Sequence, residues 1–200
     1  WLDGPPAPAL QQARKLLLSI NALDASGHIT PHGVQLADLP LPPPLAHMVV
    51  EASKSGQAED AAMLALLLQE RGLGGQGENI ETRFERFAGE RSPKADAARK
   101  LAQRISRMCR SGAGEQEPLS IGGLIATAYP DRIAKRRDNK GEKWISAMGR
   151  GLQLDMASLL AREEWLAVAD VQGAASGARI LSAAPLTEAE ILSHFAERIT

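Results

Sequence analysis

Apolar residues recur at Leu10, Ala13, Leu16, Leu17, Ile20 and Leu23, the spacing of an amphipathic helix. Asp3-Gly4-Pro5-Pro6 before this stretch and Asp24-Ala25-Ser26-Gly27 after it read as turns, with Gly27 able to supply a positive φ. Thr30-Pro31 has the composition of a helix start, because threonine caps free N–H groups and proline is tolerated at the first helical position. A short helix through Leu36 to Leu39 follows. Helix, short β turn and short helix together outline a small winged-helix module over residues 1–42.

The Pro42-Pro43-Pro44 run is a stiff break. Beyond it Leu45, Met48, Val49 and Ala52 return to helical spacing, and Ala61 to Leu68 is apolar nearly all round, as befits the buried central helix of a bundle. Gly72 to Gly77 reads as a loop. The best helix of the chain lies between Lys94 and Arg110. There Ala98, Leu101, Ala102, Ile105, Met108 and Cys109 form an apolar stripe, while Arg99, Lys100, Gln103, Arg104, Arg107 and Arg110 occupy the other faces. Residues 43–117 are therefore expected to form a helical bundle.

From residue 118 the pattern changes. Ile121 to Ala128 predicts a helix that must end before Pro130. Short β-like runs follow at Arg132–Arg137, Lys143–Met148, Gly151–Leu154, Glu164–Val171 and Ala178–Ala184, with turns at Asp138-Asn139-Lys140-Gly141 and Gly173–Gly177. Five short strands in so small a space predict a barrel of the OB type over residues 118–186. Thr187 to Glu190 is a capping box that opens a last helix in 187–200, with Leu186 and Ile191 placed as its hydrophobic staple. The expected fold class is thus multi-domain and mainly α, with a β C-terminal part: winged helix, helical bundle and five-stranded barrel.

Composition sharpens this picture in two places. Three Trp, three Phe and one Tyr leave the cores to Leu, Ile, Val and Ala. The net charge of −1 hides a segment, residues 91–150, with 14 Lys and Arg against 6 Asp and Glu, flanked by acidic sequence. A segment of that sign suits a phosphate-bearing partner, since counterion release supplies most non-specific affinity for nucleic acid. The single cysteine, Cys109, excludes an intrachain disulfide and any Cys-based metal cluster, and a reducing, cytoplasmic setting is expected. No apolar run approaches the ~20 residues of a membrane span, so no membrane partner is expected. No secretory signal is visible, and the start at Trp1 reads as that of a piece cut from something longer or of a processed chain.

Catalytic chemistry finds little support. Gly72-x-Gly74-x-x-Gly77 matches a dinucleotide fingerprint by letter only: the preceding apolar run is too long for a strand, and Glu78 and Glu81 would repel phosphate. There is no G-x-x-x-x-G-K-S/T phosphate cradle. His28 and His32 are four apart across a turn-to-helix boundary, and they and the other histidines are expected to be surface residues with no metal site. Glu163-Glu164 are sequence neighbours pointing apart, and Cys109 belongs to the apolar stripe as a small hydrophobe. No catalytic residue and no bound cofactor are expected in these 200 residues. What remains is basic: Arg99, Arg104 and Arg107 on the long helix, and Lys135, Arg136, Arg137 and Lys140 on the first strand and turn of the barrel, are the candidate contacts to a nucleic-acid backbone. Tyr129 and Trp144 are the aromatics nearest in sequence, and Trp144 is expected to be a barrel-core residue.

Three stretches carry a resemblance. "ALDASGHITPHGVQLADLPLPPPLAHMV" resembles the winged-helix exit of DEAH-box helicases, where a GALD…G.LT..G..LA.LPL.P.LA.M pattern recurs. "AYPDRIAKRR" with "GEKWISAMGRGLQL", and "EWLAVADVQG" with "ARILSAAPL", are similar to the bacterial HrpB branch. Together they span residues 22–50 and 128–186. The resemblance implies a winged helix, a ratchet-like bundle and an OB-like domain that follow two RecA-like motor domains. It implies a parent that couples ATP hydrolysis, with ATP and magnesium held in the motor, to movement along nucleic acid, usually RNA. The implied role here is to help form the channel for a single strand, with the motor domains as protein partner. The Walker A and DEAH motifs and the long HrpB-specific tail fall outside these residues, so the piece alone is expected not to hydrolyse ATP. Two other readings stay open: a scaffold docking to the motor domains, and a stand-alone winged-helix DNA-binding regulator. The second would need Pro31 to Leu39 as recognition helix, which has no Arg or Lys and carries Asp38.

Overall fold

The computed structural model of the chain describes residues 4, 6–109, 116–173 and 177–196. Asp3 and Pro5 of the first turn, Arg110 of the basic helix, the middle of the Gly173–Gly177 turn and the end of the last helix lie outside the described residues.

Helix α1 (Ala7–Ser19) leads into the turn, where Leu23 and Ile29 form one antiparallel bridge and Gly27 takes φ +85°. Helix α2 (Pro31–Ala37) starts as the sequence implies: the Thr30 hydroxyl accepts from the Gly33 N–H at 2.9 Å, and Pro31 fills the first position. Gly33 has to be glycine, since a Cβ there would sit 2.1 Å from the Ala22 carbonyl oxygen.

Helices α3 (Pro43–Ser53) and α4 (Ala58–Gln69) pack together, and Ala61 to Leu67 are all buried, as the all-round apolar run demands. The pattern reading leaves helix α5 (Ile80–Gly89) unassigned; Asn79 caps it through the Thr82 N–H, and Ile80 and Phe87 bury its inner face. Helix α6 (Pro93–Met108) packs on α4 with Ala95, Ala102 and Ile105 buried. Cys109 is buried just past its end, whereas Met108 at the expected stripe edge is half exposed. The glycine-rich loop between α4 and α5 is a packing device. Gly72, Gly74, Gly75 and Gly77 all have positive φ, and a Cβ on Gly74 would lie 2.0 Å from the Arg83 carbonyl.

Helix α7 (Ile121–Ala128) is a wedge between bundle and barrel, packed on α3 on one side and on the sheet on the other. Strands β1 (Ile133–Arg136), β2 (Lys143–Ser146), β3 (Gly151–Gln153), β4 (Trp165–Gln172) and β5 (Ala178–Leu186) close into a barrel in the order β1-β2-β3-β5-β4. All pairs are antiparallel except β3–β5, the arrangement of an OB-like barrel. Trp144, Leu152, Leu154, Leu160, Leu166, Val168 and Ile180 fill the interior. The other faces of β4 and β5 join the bundle core through Ala167, Ala169, Ala184 and Leu186. A backbone bond from Ala183 N–H to the Glu78 carbonyl, 2.8 Å, ties β5 to the loop ahead of α5.

Helix α8 (Glu188–His194) carries the capping box Thr187/Glu190, and Leu186 and Ile191 are both buried in the same core. Glu190 does more than cap. One carboxylate oxygen accepts from Ser120 N–H at 3.1 Å, and the other from the Thr187 N–H and hydroxyl at 3.1 and 2.9 Å. Burial pushes its carboxyl up, but the hydrogen bonds from Ser120 and Thr187 outweigh that and hold it below its ordinary value. A carboxyl so depressed stabilises the fold above its unfolded pKa of about 4.3, and the contribution disappears as pH falls through the lower folded value. Glutamine has one acceptor oxygen where glutamate has two. Glu190→Gln is therefore expected to lose about 1 kcal/mol at pH 7, with the gap to the parent protein narrowing toward pH 3 in urea titrations.

Candidate nucleic-acid interface

The candidate cations fall on two elements. On α6, Arg99 is turned inward. Its guanidinium donates to the carbonyls of Phe87 and Glu90, both at 2.7 Å, and also bonds Asp96. It lies 6.0 Å from the Phe87 ring centre, so Arg99 closes the C-terminal end of α5, where free carbonyls favour a cation. Arg104 and Arg107 are exposed and have no ion pair with another described residue.

The remaining four gather on the β1–β2 hairpin. Lys135 reaches Glu164 at 3.5 Å and lies 4.6 Å over the Trp165 ring, its cross-strand partner. Arg136 donates to the carbonyls of Ala161 and Arg162 at 3.2 and 3.0 Å, satisfying the end of the 3-10 turn Leu159–Arg162. Arg137 and Lys140 are exposed at the hairpin end, with no side-chain ion pair among the described residues.

That hairpin is rigidly held. Gly141, with φ +73°, packs so close to Ala161 that a Cβ would lie 2.0 Å from its carbonyl oxygen. Trp144, buried in the barrel as the sequence implies, donates its indole N–H to the Gly141 carbonyl at 2.8 Å. Asp138 accepts from the Glu142 N–H at 3.1 Å across the turn. Two partnered cations and two open ones thus sit on one braced hairpin, and Arg136, held by two carbonyls, has the least side-chain freedom to lose.

The aromatic nearest these cations is not one that sequence proximity suggests. Trp144 is inside the barrel, and Tyr129 lies under Arg132, whose guanidinium is 4.4 Å from its ring centre. Trp165, half-buried beneath Lys135, is the aromatic that reaches the basic hairpin, because the second edge of β1 pairs with β4, which is distant in sequence.

The histidines also differ from the expectation of surface residues. His28 is exposed beside Asp24, but His32 is partly buried, with its Nε2 2.8 Å from His47 Nδ1. Burial pushes the His32 ring below its ordinary pKa; Glu51 opposes that and Lys54 adds to it. The pairing arises because α2 packs across α3, bringing together residues that the proline run separates in sequence.

A winged-helix family model, the helicase-associated domain HA2, matches residues 13–41. The chain is 35% identical over 185 residues to the ATP-dependent RNA helicase HrpB of Escherichia coli, covering 92% of the chain and 22% of that protein. The crystal structure of the E. coli DExH-box NTPase HrpB superposes with a TM-score of 0.81 at 31% identity, over 98% of this chain and 23% of that one. The chain is similar over nearly its whole length to one region of HrpB-type DEAH-box helicases. It spans about a fifth of the length of that relative. A more distant likeness, 31% over 70 residues, is to the probable ATP-dependent RNA helicase DHX35 of Homo sapiens, covering 34% of the chain and 10% of that protein. No described helix of the chain is long and apolar enough to cross a membrane.

Proposed function

We propose that this chain guides a single strand of nucleic acid, RNA in the first instance, along the channel of an ATP-dependent helicase whose motor domains hold ATP and magnesium. The observation that carries the reading is the braced β1–β2 hairpin, with Arg137 and Lys140 open to solvent on an OB-like barrel. OB-like barrels use that turn and its strands to follow a nucleic-acid backbone. Arg104 and Arg107 form the second contact, on the bundle, while Arg99, Lys135 and Arg136 hold the surfaces in place and add positive potential. The RNA preference rests on the names of the relatives, which are RNA helicases. The setting is the cytoplasm, and the chain alone hydrolyses no ATP.

A second reading, docking to the motor domains, is favoured by α1. This helix has no buried residue and leaves Leu10 and Leu16 exposed, and Leu16 lines a cavity of about 390 Å³ together with Ala147 and Met148.

Fluorescence anisotropy with a short single-stranded RNA, titrated across salt, separates the two. Binding should be weak and fall steeply with salt, and the pair Arg137→Glu/Lys140→Glu should reduce the slope of log K against log salt by about 1.4, the loss of two single-strand phosphate contacts. No binding at low salt, or binding indifferent to both this pair and Arg104→Glu/Arg107→Glu, would sink the strand-guiding reading in favour of docking.

A further inference from the structure

We propose that His32, His47 and Glu51 form a binding site for a divalent cation of the zinc class, which pins the winged-helix module to the helical bundle. One donor atom from each residue lies within 4.8 Å of the other two. His47 and Glu51 are four apart on α3 and so share one face of that helix, while His32 comes from the first turn of α2. The positions of these donors are set by structure independent of them. Thr30 caps α2, Gly33 lets it settle against Ala22, and α3 is buried along most of its length.

The ring geometry suits a metal. His32 Nε2 and His47 Nδ1 face one another at 2.8 Å, with the ring planes at 89°. Two tetrahedral Zn–N bonds require a nitrogen separation of about 3.3 Å, so the rings need open by only about half an ångström. The one proton held between the facing nitrogens moves to the other nitrogen of its own ring, leaving both lone pairs for the ion. The Glu51 carboxylate supplies the third ligand. Its present neighbours are Lys54 at 2.7 and 2.6 Å, half exposed at the end of the helix, and His32 Nδ1 at 4.0 Å from Oε1; Lys54 must yield one oxygen, which then turns from the Nδ1 toward the Nε2 side of the His32 ring. A cavity of about 370 Å³, which His47 and Glu51 line together with Asn21 and Lys54, leaves room for a water as fourth ligand. Two imidazoles and one carboxylate select zinc-like ions over magnesium or calcium, which prefer oxygen alone.

This site does not depend on the strand-guiding reading. The test uses the 200-residue chain, stripped with chelator and then titrated with Zn²⁺ or Co²⁺. One equivalent should bind, cobalt should give the visible absorption of a four-coordinate ion, and zinc should raise the Tm. His32→Gln and Glu51→Gln should each weaken zinc binding by about tenfold or more and abolish the cobalt band, while keeping the parent circular dichroism. His28→Gln should leave both readouts unchanged. Absence of the cobalt band and of a Tm rise in the parent chain overturns the proposal. So does uptake that survives His32→Gln and Glu51→Gln, or that only His28→Gln removes.

Discussion

Trp144→Ala should lower the free energy of unfolding by about 3–5 kcal/mol, the range for truncating a large buried ring that leaves a cavity behind. Trp144 is 1% exposed and occupies the barrel interior with Leu152, Leu154, Leu166 and Ile180. In so small a barrel these neighbours cannot collapse into the space without breaking the ladder that closes it. The indole N–H also satisfies the Gly141 carbonyl, and losing that donor alone is worth about 1–3 kcal/mol. Trp144→Phe, which keeps most of the ring but not the donor, should therefore fall between the parent and Trp144→Ala. Urea titration followed by far-ultraviolet circular dichroism gives the ranking. A loss below about 1 kcal/mol for the alanine variant would mean that the ring does not hold the barrel. The effect should reach function as well, because the carbonyl it anchors belongs to the turn that carries Arg137 and Lys140.

Gly122→Ala should be nearly as damaging, although alanine favours a helix over glycine by about 1 kcal/mol. A Cβ on Gly122 would lie 1.9 Å from the Pro185 carbonyl oxygen and 2.9 Å from its carbon, so α7 must move away from β5. Overpacking against backbone costs about 1–3 kcal/mol or more, and here the displacement parts the wedge from the barrel it supports. Gly123→Ala is the control one residue along. Its Cβ would meet the Leu119 Cβ at 3.1 Å and Glu190 Oε1 at 3.2 Å, contacts that ask for a give of only a few tenths of an ångström against the 1.9 Å clash at Gly122. The two variants should separate by at least about 2 kcal/mol in chemical denaturation. Equal stability would show that α7 does not bear on β5 as closely as the structure has it.

The elements that could be read from the chain are those whose signals are local. Thr30-Pro31 and Thr187-to-Glu190 announce helix starts because capping involves residues three apart, and both caps are made. The runs Lys143–Met148 and Glu164–Val171 are legible because β-rich residues lie between strong turn formers, and strands Lys143–Ser146 and Trp165–Gln172 form there. Helix α5 is not legible in the pattern because its charged residues, Glu81, Arg83, Glu85 and Arg86, obscure the few apolar positions that bury it. The anchoring of Arg99 and Arg136 was illegible for a different reason. Both reach main-chain carbonyls, and a carbonyl leaves no mark in the sequence to say that a guanidinium will meet it. The same holds for Trp165 under Lys135 and for His32 against His47. Each pair depends on which elements become neighbours, and that is settled by packing rather than by spacing.

The way the sheet closes limits how other polypeptides can meet this part of the molecule. β1 pairs with β4 and β3 with β5, so the circuit of strands comes back on itself. A sheet with a free margin offers a row of unused N–H and C=O groups, onto which a peptide, or a second copy of the chain, can add itself as one more strand. The closed circuit withholds that opportunity. Recruitment by strand addition and stacking into cross-β fibres are both disfavoured, and a partner must read side chains and turns instead.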